Sequence, residues 1–382
     1  MDRSKWEYKK LCDVALITMG QSPSSDSYNE EGKGLPFFQG NADFGILHPK
    51  VRVYCDAPQR EANENDILMS VRAPIGAINI ANTHCCIGRG LCAITPQERC
   101  LDLKYLYYFL ISKNGYLNQQ GTGSTFKSIS KKIIFDLSIP VPSLADQQSI
   151  SGEIDCLNEM LALKQEQLKE FDKLAQSIFY DMFGDPITNE KGWKIKKLEH
   201  VCQKITDGTH NSPVNTEEGE YMYVTAKNIK KDGITLDDIT YVSAEVHKVI
   251  YARCNPQYGD VLYIKDGVTT GIATINTIKE EFSLLSSVAL LKPGNDIVNY
   301  YLKAVLNTPS LYVSIRKNMG GAAITRLTIT KINSIDIPLP PLALQQQFAE
   351  KIQAIEAQKE LVKQSIAETQ QLLDSRMDYY FN

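Results

Sequence analysis

An internal duplication limits the possible folds of this chain more than any other feature of its sequence. The segment 139–148, IPVPSLADQQ, returns 198 residues later as IPLPPLALQQ at 337–346. The same offset holds to the end of each half, where Phe183 matches Phe381. Upstream the match continues with small shifts, as insertions in surface loops produce. The chain is therefore predicted to be a tandem of two related halves.

Each half ends in a long segment in which apolar residues recur at alternating steps of four and three. These positions run from Ile150 to Met182 in the first half and from Phe348 to Tyr380 in the second. Such spacing keeps one stripe of a helix facing a partner helix. It predicts two long helices that pack on each other as a coiled coil; a pair of ordinary amphipathic core helices is the alternative.

The segments before the long helices contain short apolar runs separated by Gly, Asn, Asp and Pro, a pattern typical of strands and turns. Gly184 and Pro186 mark the end of the first long helix, because glycine favours the C-cap and proline cannot continue a helix. The predicted fold class is α/β, with two mixed α/β domains in tandem and two long helices. The predicted boundaries are 1–144 for the first α/β domain, 145–184 for the first long helix, 185–342 for the second α/β domain and 343–382 for the second long helix.

The charge pattern separates the predicted domains from the predicted helices. A formal net charge of −4 excludes a protein that binds polyanions over its whole surface. Residues 89–135 nevertheless hold seven basic against two acidic residues, and residues 287–333 hold six against one. The helical segments 145–182 and 343–380 are acidic instead. We expect local nucleic-acid sites in the domains, and protein contacts along the helices.

Each basic window contains a Gly-rich polar loop, at 119–127 and 318–326. Small residues let backbone N–H groups approach a phosphate closely, and flanking Lys or Arg adds positive charge. Neither loop has the Gly-Lys-Ser/Thr ending of a nucleotide P-loop. A phosphate contact and a solvated turn both remain open as interpretations.

The nine cysteines indicate neither a disulfide framework nor a zinc site. Their number is odd, no two have C-x-x-C spacing, and we find no export signal. No apolar run approaches the roughly 20 residues needed to cross a bilayer. We expect a reduced, cytoplasmic protein with buried thiols, no bound metal and no contact with a membrane.

The sequence also lacks the residue sets expected of an enzyme. An adenine methyltransferase holds its flipped base with an Asn/Asp-Pro-Pro-aromatic segment, and the nearest string, 255–258 (NPQY), has no second proline. The five histidines form no metal pair at helical spacing. Asp207 and His210 have no nucleophile constellation beside them. We therefore predict no catalytic residues and no cofactor.

Together these motifs resemble the specificity subunit of type I restriction-modification systems. The resemblance rests on the repeated proline-glutamine segment, on the aromatic helix endings at 179–183 and 377–381, and on the domain openings at 20–23, 35–40 and 207–213. One departure is that Asp146 before the first glutamine pair is replaced by Leu344 before the second.

The resemblance implies two target recognition domains, each reading one half of a bipartite double-stranded DNA sequence, held apart by two antiparallel helices. It also implies partners: two adenine-N6 methyltransferase subunits, which the helices recruit, and a restriction and translocation subunit. A stiff rod between two basic domains would act as a ruler for half-sites about 10 to 15 base pairs apart, centre to centre. A stand-alone bipartite DNA-binding protein and a single-chain restriction enzyme are the alternatives.

Candidate DNA-contacting residues follow from chemistry. Bases are read chiefly by Arg, Lys, Asn, Gln, Ser and Thr, whereas Lys, Arg and small-residue loops favour phosphates. In the first domain we predict contacts from Gln39, Asn41, Arg72, Arg89, Thr125 and Lys127. In the second domain we predict contacts from Thr209, His210, Lys227, Asn228, Lys265, Thr270 and Arg326.

Overall fold

The protein divides into two compact units, each built from segments that are distant in sequence. The computed structural model describes residues 3–122, 127–317 and 326–382. Unit 1 comprises Met1–Gln165 and Lys363–Asn382, and unit 2 comprises Glu166–Val362. Each unit therefore combines one α/β globule with parts of both long helices. The unit limits fall within the helices, and the predicted division into two domains and two separate helices stays a proposal.

Unit 1 is a mixed α/β structure. Its strands are β1 (Glu7–Lys10), β2 (Ala15–Met19), β3 (Tyr28–Asn29), β4 (Leu35–Phe38), β5 (Tyr54–Cys55), β6 (Glu61–Ala62), β7 (Ile67–Ser70), β8 (Ile78–Ile80), β9 (Cys85–Ile87), β10 (Leu91–Pro96) and β11 (Ser138–Val141). Its helices are α1 (Leu11–Val14), α2 (Leu103–Ser112), α3 (Asn114–Gln119), α4 (Lys131–Phe135) and the first part of α5 (Leu144–Phe183), with 3-10 turns at Arg3–Lys5, Ser25–Ser27 and Asn41–Asp43.

Unit 2 repeats this plan. Its strands are β12 (Lys194–Lys197), β13 (Cys202–Asp207), β14 (Tyr221–Val224), β15 (Ile229–Lys230), β16 (Gly233–Ile234), β17 (Thr240–Val242), β18 (Val261–Ile264), β19 (Ala273–Ile275), β20 (Ser283–Leu284), β21 (Val288–Pro293) and β22 (Asp336–Leu339). Its helices are α6 (Leu198–Val201), α7 (Ala244–Arg253), α8 (Asn299–Leu306), α9 (Pro309–Lys317), α10 (Ile329–Asn333), the last part of α5 and the first part of α11 (Leu342–Phe381), up to Val362.

The two units share their sheet topology, as the duplication predicts. Each contains a four-stranded antiparallel sheet, in the order β2-β10-β7-β8 in unit 1 and β13-β21-β18-β19 in unit 2. A second sheet contains the order β5-β4-β9 in unit 1 and β17-β14-β20 in unit 2, and in both units its last pair is parallel. The connection from β17 to β18 contains α7, whereas the corresponding connection from β5 to β7 contains the short strand β6. The predicted mixed α/β fold is confirmed.

The long helices follow the predicted pattern. Both α5 and α11 contain 40 residues. In unit 1 Lys164 Nζ of α5 donates to Thr369 Oγ1 of α11 over 2.6 Å, and Glu153 Oε1 lies 2.9 Å from Arg376 Nε. Residue numbers rise along one helix as they fall along the other, so the two segments are antiparallel. None of the helices in the described ranges is long and apolar enough to span a membrane.

Unit 2 shows the same arrangement from the other helix ends. Lys359 Nζ of α11 lies 2.5 Å from Asp172 Oδ1 of α5, and the rings of Phe348 and Phe179 pack edge to face with centroids 5.8 Å apart. The positions of the four-three pattern are all buried or partly buried in both helices. The predicted coiled-coil packing is therefore confirmed within each unit.

The repeated glutamine joins each globule to the start of its long helix. Gln147 is fully buried, and its Nε2 donates to Cys100 O and Pro142 O, each over 2.9 Å. Its Oε1 accepts from Asp102 N over 2.8 Å. Gln345 is also fully buried and makes the equivalent three bonds. Side-chain groups that satisfy buried backbone donors and acceptors stabilise a fold mainly because their loss leaves those groups unpaired.

We expect Gln147→Leu to lower the free energy of unfolding of unit 1 by about 2 to 4 kcal/mol, because three buried backbone groups lose their partners. Each unit contains one of the two tryptophans, Trp6 and Trp193. Trp6 fluorescence in a Trp193→Phe background therefore follows urea unfolding of unit 1. The neighbouring exposed Gln148→Leu is the control, expected within about 0.5 kcal/mol of the parent. Equal effects of the two substitutions would contradict this role.

Candidate nucleic-acid interface

Several turns of unit 1 meet around the tight turn Gly88–Gly90, which joins β9 to β10. Gly88 donates its N–H to Phe38 O over 2.8 Å, and Gly90 O accepts from Val71 N over 2.9 Å. Ile87, just before the turn, accepts from Gln21 N over 3.1 Å. We name the resulting set the unit 1 turn cluster; it comprises residues 20–22, 39–41, 71–72, 88–90 and 127–128.

Glycines allow these turns to approach one another. A Cβ added at Gly20 would lie 2.2 Å from Gly88 O, and one at Gly90 would lie 2.3 Å from Gln39 O. Side chains larger than hydrogen at these two positions would push the turns apart. The backbone of the cluster is thus close-packed, and its longer side chains point outward.

The structure gathers the predicted DNA contacts of the first half in this cluster. Four of them are exposed there: Gln39, Arg72, Arg89 and Lys127. Asn41 is partly buried in the 3-10 turn that follows β4. Asp43 fixes this turn, because its Oδ2 accepts from Gln39 N over 2.7 Å. Thr125 lies outside the described residues, and its role stays a prediction.

Unit 2 forms an equivalent arrangement around Leu285–Ser287, the turn between β20 and β21. Thr209 N donates to Leu284 O over 2.8 Å, and Thr209 O accepts from the middle residue of the turn over 2.9 Å. Ser287, the last residue of the turn, accepts from Ala226 N at its Oγ over 3.2 Å and from Lys265 N at its carbonyl oxygen over 2.9 Å. This unit 2 turn cluster comprises residues 208–210, 225–227, 265–266, 285–287 and 326.

Three residues predicted to contact DNA are buried in unit 2. Asn228 is 3% exposed, Lys265 2% and Thr270 0%. Asn228 Oδ1 accepts from Thr225 N over 3.0 Å and holds the turn after β14, as Asp43 does in unit 1. Their side chains are enclosed by protein and are not presented at the surface. Whether DNA binding depends on them stays a prediction.

The other predicted contacts of the second half are accessible. His210, Lys227 and Arg326 are exposed, and Thr209 is partly buried. Arg326 Nε lies 3.2 Å from Asp266 Oδ1. The backbones of these two residues also form an isolated β-bridge, which corresponds to the β-bridge between Arg72 and Ser128 in unit 1. His210 Nε2 lies 3.1 Å from Asp207 Oδ2. Both clusters therefore present cationic and polar side chains at the same place in the fold.

Sequence reasoning missed one residue of this region, Arg253 at the end of α7. Its Nη2 donates to Asp207 O over 2.9 Å and to Gly208 O over 2.8 Å, and it also pairs with the Asp207 carboxylate. Arg253 lies outside both basic windows and far from the glycine-rich loops. Nothing in the local sequence around it indicates this contact.

Several cysteines of unit 1 are core residues, as predicted, whereas Cys156 of α5 is exposed and the prediction is wrong for it. Cys85, Cys86 and Cys92 are buried, and burial raises the pKa of the Cys85 and Cys92 thiols to about 12 and that of Cys86 to about 11. Thiols with these pKa values stay protonated and unreactive at neutral pH. Within residues 3–122, 127–317 and 326–382, no group of three or more His, Cys, Asp or Glu is arranged to hold a metal ion.

Comparison with known proteins agrees with this organisation. A family model described as the type I restriction modification DNA specificity domain matches residues 3–172 and 190–371. The chain is 38% identical over 175 residues to the putative type I restriction enzyme MjaX specificity subunit of Methanocaldococcus jannaschii; the match covers 45% of this chain and 41% of that protein. The chain thus spans less than half the length of this relative.

Two further comparisons cover most of the chain. The type I restriction enzyme MjaIX specificity subunit of the same organism is 23% identical over 382 residues, covering 92% of this chain and 86% of that protein. The crystal structure of the type I restriction-modification system S subunit from M. genitalium has 18% identity and a TM-score of 0.58, covering 99% of this chain and 96% of that chain. At this identity the structural likeness concerns the fold.

We expect Gly20→Ala to lower the free energy of unfolding of unit 1 by about 1 to 3 kcal/mol, because its Cβ would overlap the close-packed turns. Trp6 fluorescence in the Trp193→Phe background measures the effect. Gly115→Ala, in α3 of the same unit, is the matched control: a Cβ there meets nothing within 4 Å, and alanine favours a helix. A stable Gly20→Ala variant would show that the turns are not held as closely as described.

Proposed function

This chain belongs to the type I restriction-modification DNA specificity family, and we propose that it selects the bipartite DNA sequence on which a type I restriction-modification complex acts. The observation that carries the proposal is the recurrence of one turn cluster in both units. Two equivalent surfaces with exposed cationic and polar side chains suit two half-sites of double-stranded DNA. Positive side chains bind phosphates and fix the position on the duplex, while amides and guanidinium groups read base edges.

We infer direct DNA contacts from the accessible members of the two clusters. They are Gln39, Asn41, Arg72, Arg89, Lys127, Thr209, His210, Lys227 and Arg326; Thr125 keeps its predicted role. The buried residues Asn228, Lys265 and Thr270 act indirectly by shaping the surface. This assignment supports a sequence-dependent site in each unit, because each cluster combines Arg or Lys with residues that can hydrogen-bond to bases.

The paired helices are proposed to set the distance between the half-sites. Polar side chains occur among the apolar positions of the helix contact: Lys164 meets Thr369 in unit 1, and Lys359 meets Asp172 in unit 2. A polar pair in an otherwise apolar coiled coil specifies register, because sliding the helices would leave it unpaired. A fixed register supports a constant gap of unspecified sequence between the half-sites.

The outer surface of the helices supports a role in recruiting partners. Leu163 and Leu361 are related by the 198-residue offset and are 64% and 60% exposed; Leu174 and Leu372 are related in the same way and are 47% and 45% exposed. Exposed leucines at equivalent positions in both copies suit one copy of a partner per half. We propose that two adenine-N6 methyltransferase subunits dock here and that a restriction and translocation subunit joins them. The complex would act in the cytoplasm, with catalysis and cofactors supplied by these partners.

Sequencing of methylated adenines in cells that contain this chain and its methyltransferase partner tests the function. We expect one bipartite motif with a constant gap, absent when the partner is expressed alone. Inserting one heptad after Gln165 and one after Ser365 lengthens both helices by about 10 Å, or about three base pairs of DNA. The motif should keep its two half-sites and gain a gap about three base pairs longer.

An unchanged gap in the lengthened variant would contradict the ruler. A motif in which only one half-site is specified would contradict the equivalence of the two clusters. Methylation or cleavage by the purified chain alone would favour a single-chain enzyme. Specific binding without any copurifying methyltransferase would favour a stand-alone DNA-binding protein.

The docking role is tested by Leu163→Asp combined with Leu361→Asp. We expect loss of copurification with the methyltransferase and loss of methylation, with an unchanged circular dichroism spectrum, because a buried unpaired carboxylate disfavours an interface. Ala162→Asp is the matched control, since the equivalent position 360 already carries a glutamate. Normal methylation by the double variant would place the partner elsewhere.

A further inference from the structure

Buried charges lie directly beneath the turn cluster of unit 2. Asp207, the last residue of β13, is 5% exposed, and Lys265, which follows β18, is 2% exposed. Lys265 Nζ lies 3.4 Å from Asp207 Oδ2 and 3.2 Å from Asp266 Oδ2. The buried ammonium group therefore has a carboxylate partner on two sides, as buried charges generally require.

Unit 1 builds the same turns with apolar residues at these two places. Met19 pairs with Cys92 in the sheet of unit 1, as Asp207 pairs with Ala289 in unit 2. Val71 N donates to Gly90 O over 2.9 Å, and in unit 2 Lys265 N makes the corresponding bond to Ser287 O over 2.9 Å. Met19 and Val71 are therefore the counterparts of Asp207 and Lys265.

Unit 1 thus forms an equivalent arrangement of turns without these charges. Moving an ion pair from water into protein carries a desolvation cost that attraction often only offsets, and well-packed apolar substitutes are frequently as stable. Unit 1 contains such an apolar pair. The charged pair of unit 2 is thus best explained by the surface side chains that Asp207 contacts, Arg253 and His210.

Two exposed cationic or titratable side chains depend on Asp207. Among the described residues Arg253 is anchored through its Nη2, by Asp207 O, Gly208 O and the Asp207 carboxylate, while its side chain is 54% exposed. Lys204 Nζ donates to Arg253 O over 2.7 Å and fixes the end of α7. His210 Nε2 lies 3.1 Å from Asp207 Oδ2, with its side chain 51% exposed.

We propose that Arg253 contacts a phosphate of the DNA backbone and that Asp207, supported by Lys265, is the positioning residue that holds Arg253 and His210 toward it. The inference rests on the proposed function and adds a contact to the half-site bound by unit 2. A guanidinium held along one edge keeps its other donors available, and its planar fork matches a phosphate better than an ammonium does. The contact belongs to unit 2, because α7 carries it.

Loss of the Asp207 carboxylate should change the affinity for DNA in the direction opposite to that expected from charge repulsion. Removing a carboxylate from a DNA-binding surface ordinarily strengthens binding, since it lowers repulsion of phosphates. Removing Asp207 should weaken binding, because Arg253 and His210 lose the group that orients them. Glu217, an exposed acidic residue of unit 2, provides the ordinary case.

The test measures the affinity of the full chain, in complex with its methyltransferase partner, for a DNA duplex carrying the motif mapped by methylation. Fluorescence anisotropy is recorded over a series of salt concentrations. We expect Arg253→Gln to weaken binding about three- to tenfold and to reduce the slope of log affinity against log salt by about 0.9, the value for one phosphate contact. Glu217→Gln should leave the slope unchanged and bind equally or more tightly.

A second variant separates positioning from folding. Asp207→Met with Lys265→Val gives unit 2 the apolar pair of unit 1, and circular dichroism and Trp193 fluorescence check that it folds. We expect the same reduction in slope as for Arg253→Gln, and no further reduction when all three substitutions are combined, because residues of one network are not additive.

The outcomes are distinguishable. A wild-type complex with no preference for the motif duplex would overturn the proposed function itself. A wild-type preference together with an unchanged slope for Arg253→Gln would overturn only the phosphate contact. A folded double variant with the wild-type slope would overturn the positioning role of Asp207. If the double variant fails to fold, its buried pair is structural and the positioning role is likewise overturned, while Arg253→Gln still decides the contact.

Discussion

The antiparallel contact between α5 and α11 is the interaction on which both units depend, because each globule completes its core with residues from both long helices. In unit 2 the rings of Phe179 and Phe183 from α5 surround Phe348 from α11 and Tyr301 from the globule, with centroids 4.8 to 6.0 Å apart. The rings of Phe179 and Tyr301 are stacked and the other pairs meet edge to face, and aromatic groups packed in these ways bury a large apolar area. The same contacts therefore hold the two helices together and stabilise the globule, and each turn cluster is stable only while the helix pair is intact.

The duplication preserves architecture while it allows the surfaces to differ. Both units keep the buried glutamine, the four-stranded sheet and the glycine that lets neighbouring turns touch, as Gly20 and Gly208 show. Above this common base, unit 1 places Arg72 where unit 2 places Asp266, and Met19 where unit 2 places Asp207. Under the proposed function such differences would let the two units read different half-sites, because identical surfaces would read identical sequence.

The fold could be predicted largely from the sequence, because buried residues recur at a regular spacing along each long helix and the repeat aligned one half of the chain with the other. The four-three pattern identified the buried stripe from Ile150 to Met182, and the glycine and proline signals identified the turns. The interface could be predicted only in part. Lys265 looks like a surface lysine, and its burial depends on Asp207, which is distant in sequence. Arg253 has no local signal at all, since α7 carries it to the turn, and the corresponding connection from β5 to β7 in unit 1 contains a strand instead.

The division of the chain into units determines the order in which its cores can be completed during synthesis. Unit 1 includes Lys363–Asn382, whose Phe381 ring packs 5.2 Å from Tyr105 and 6.1 Å from Phe109. A ribosome makes these two aromatic residues before unit 2, and it makes the residue that covers them only after Val362, the last residue of unit 2. The core of unit 1 can therefore be completed only after unit 2 has been synthesised. Until then unit 1 leaves apolar surface uncovered, and such surface makes a nascent chain prone to aggregation.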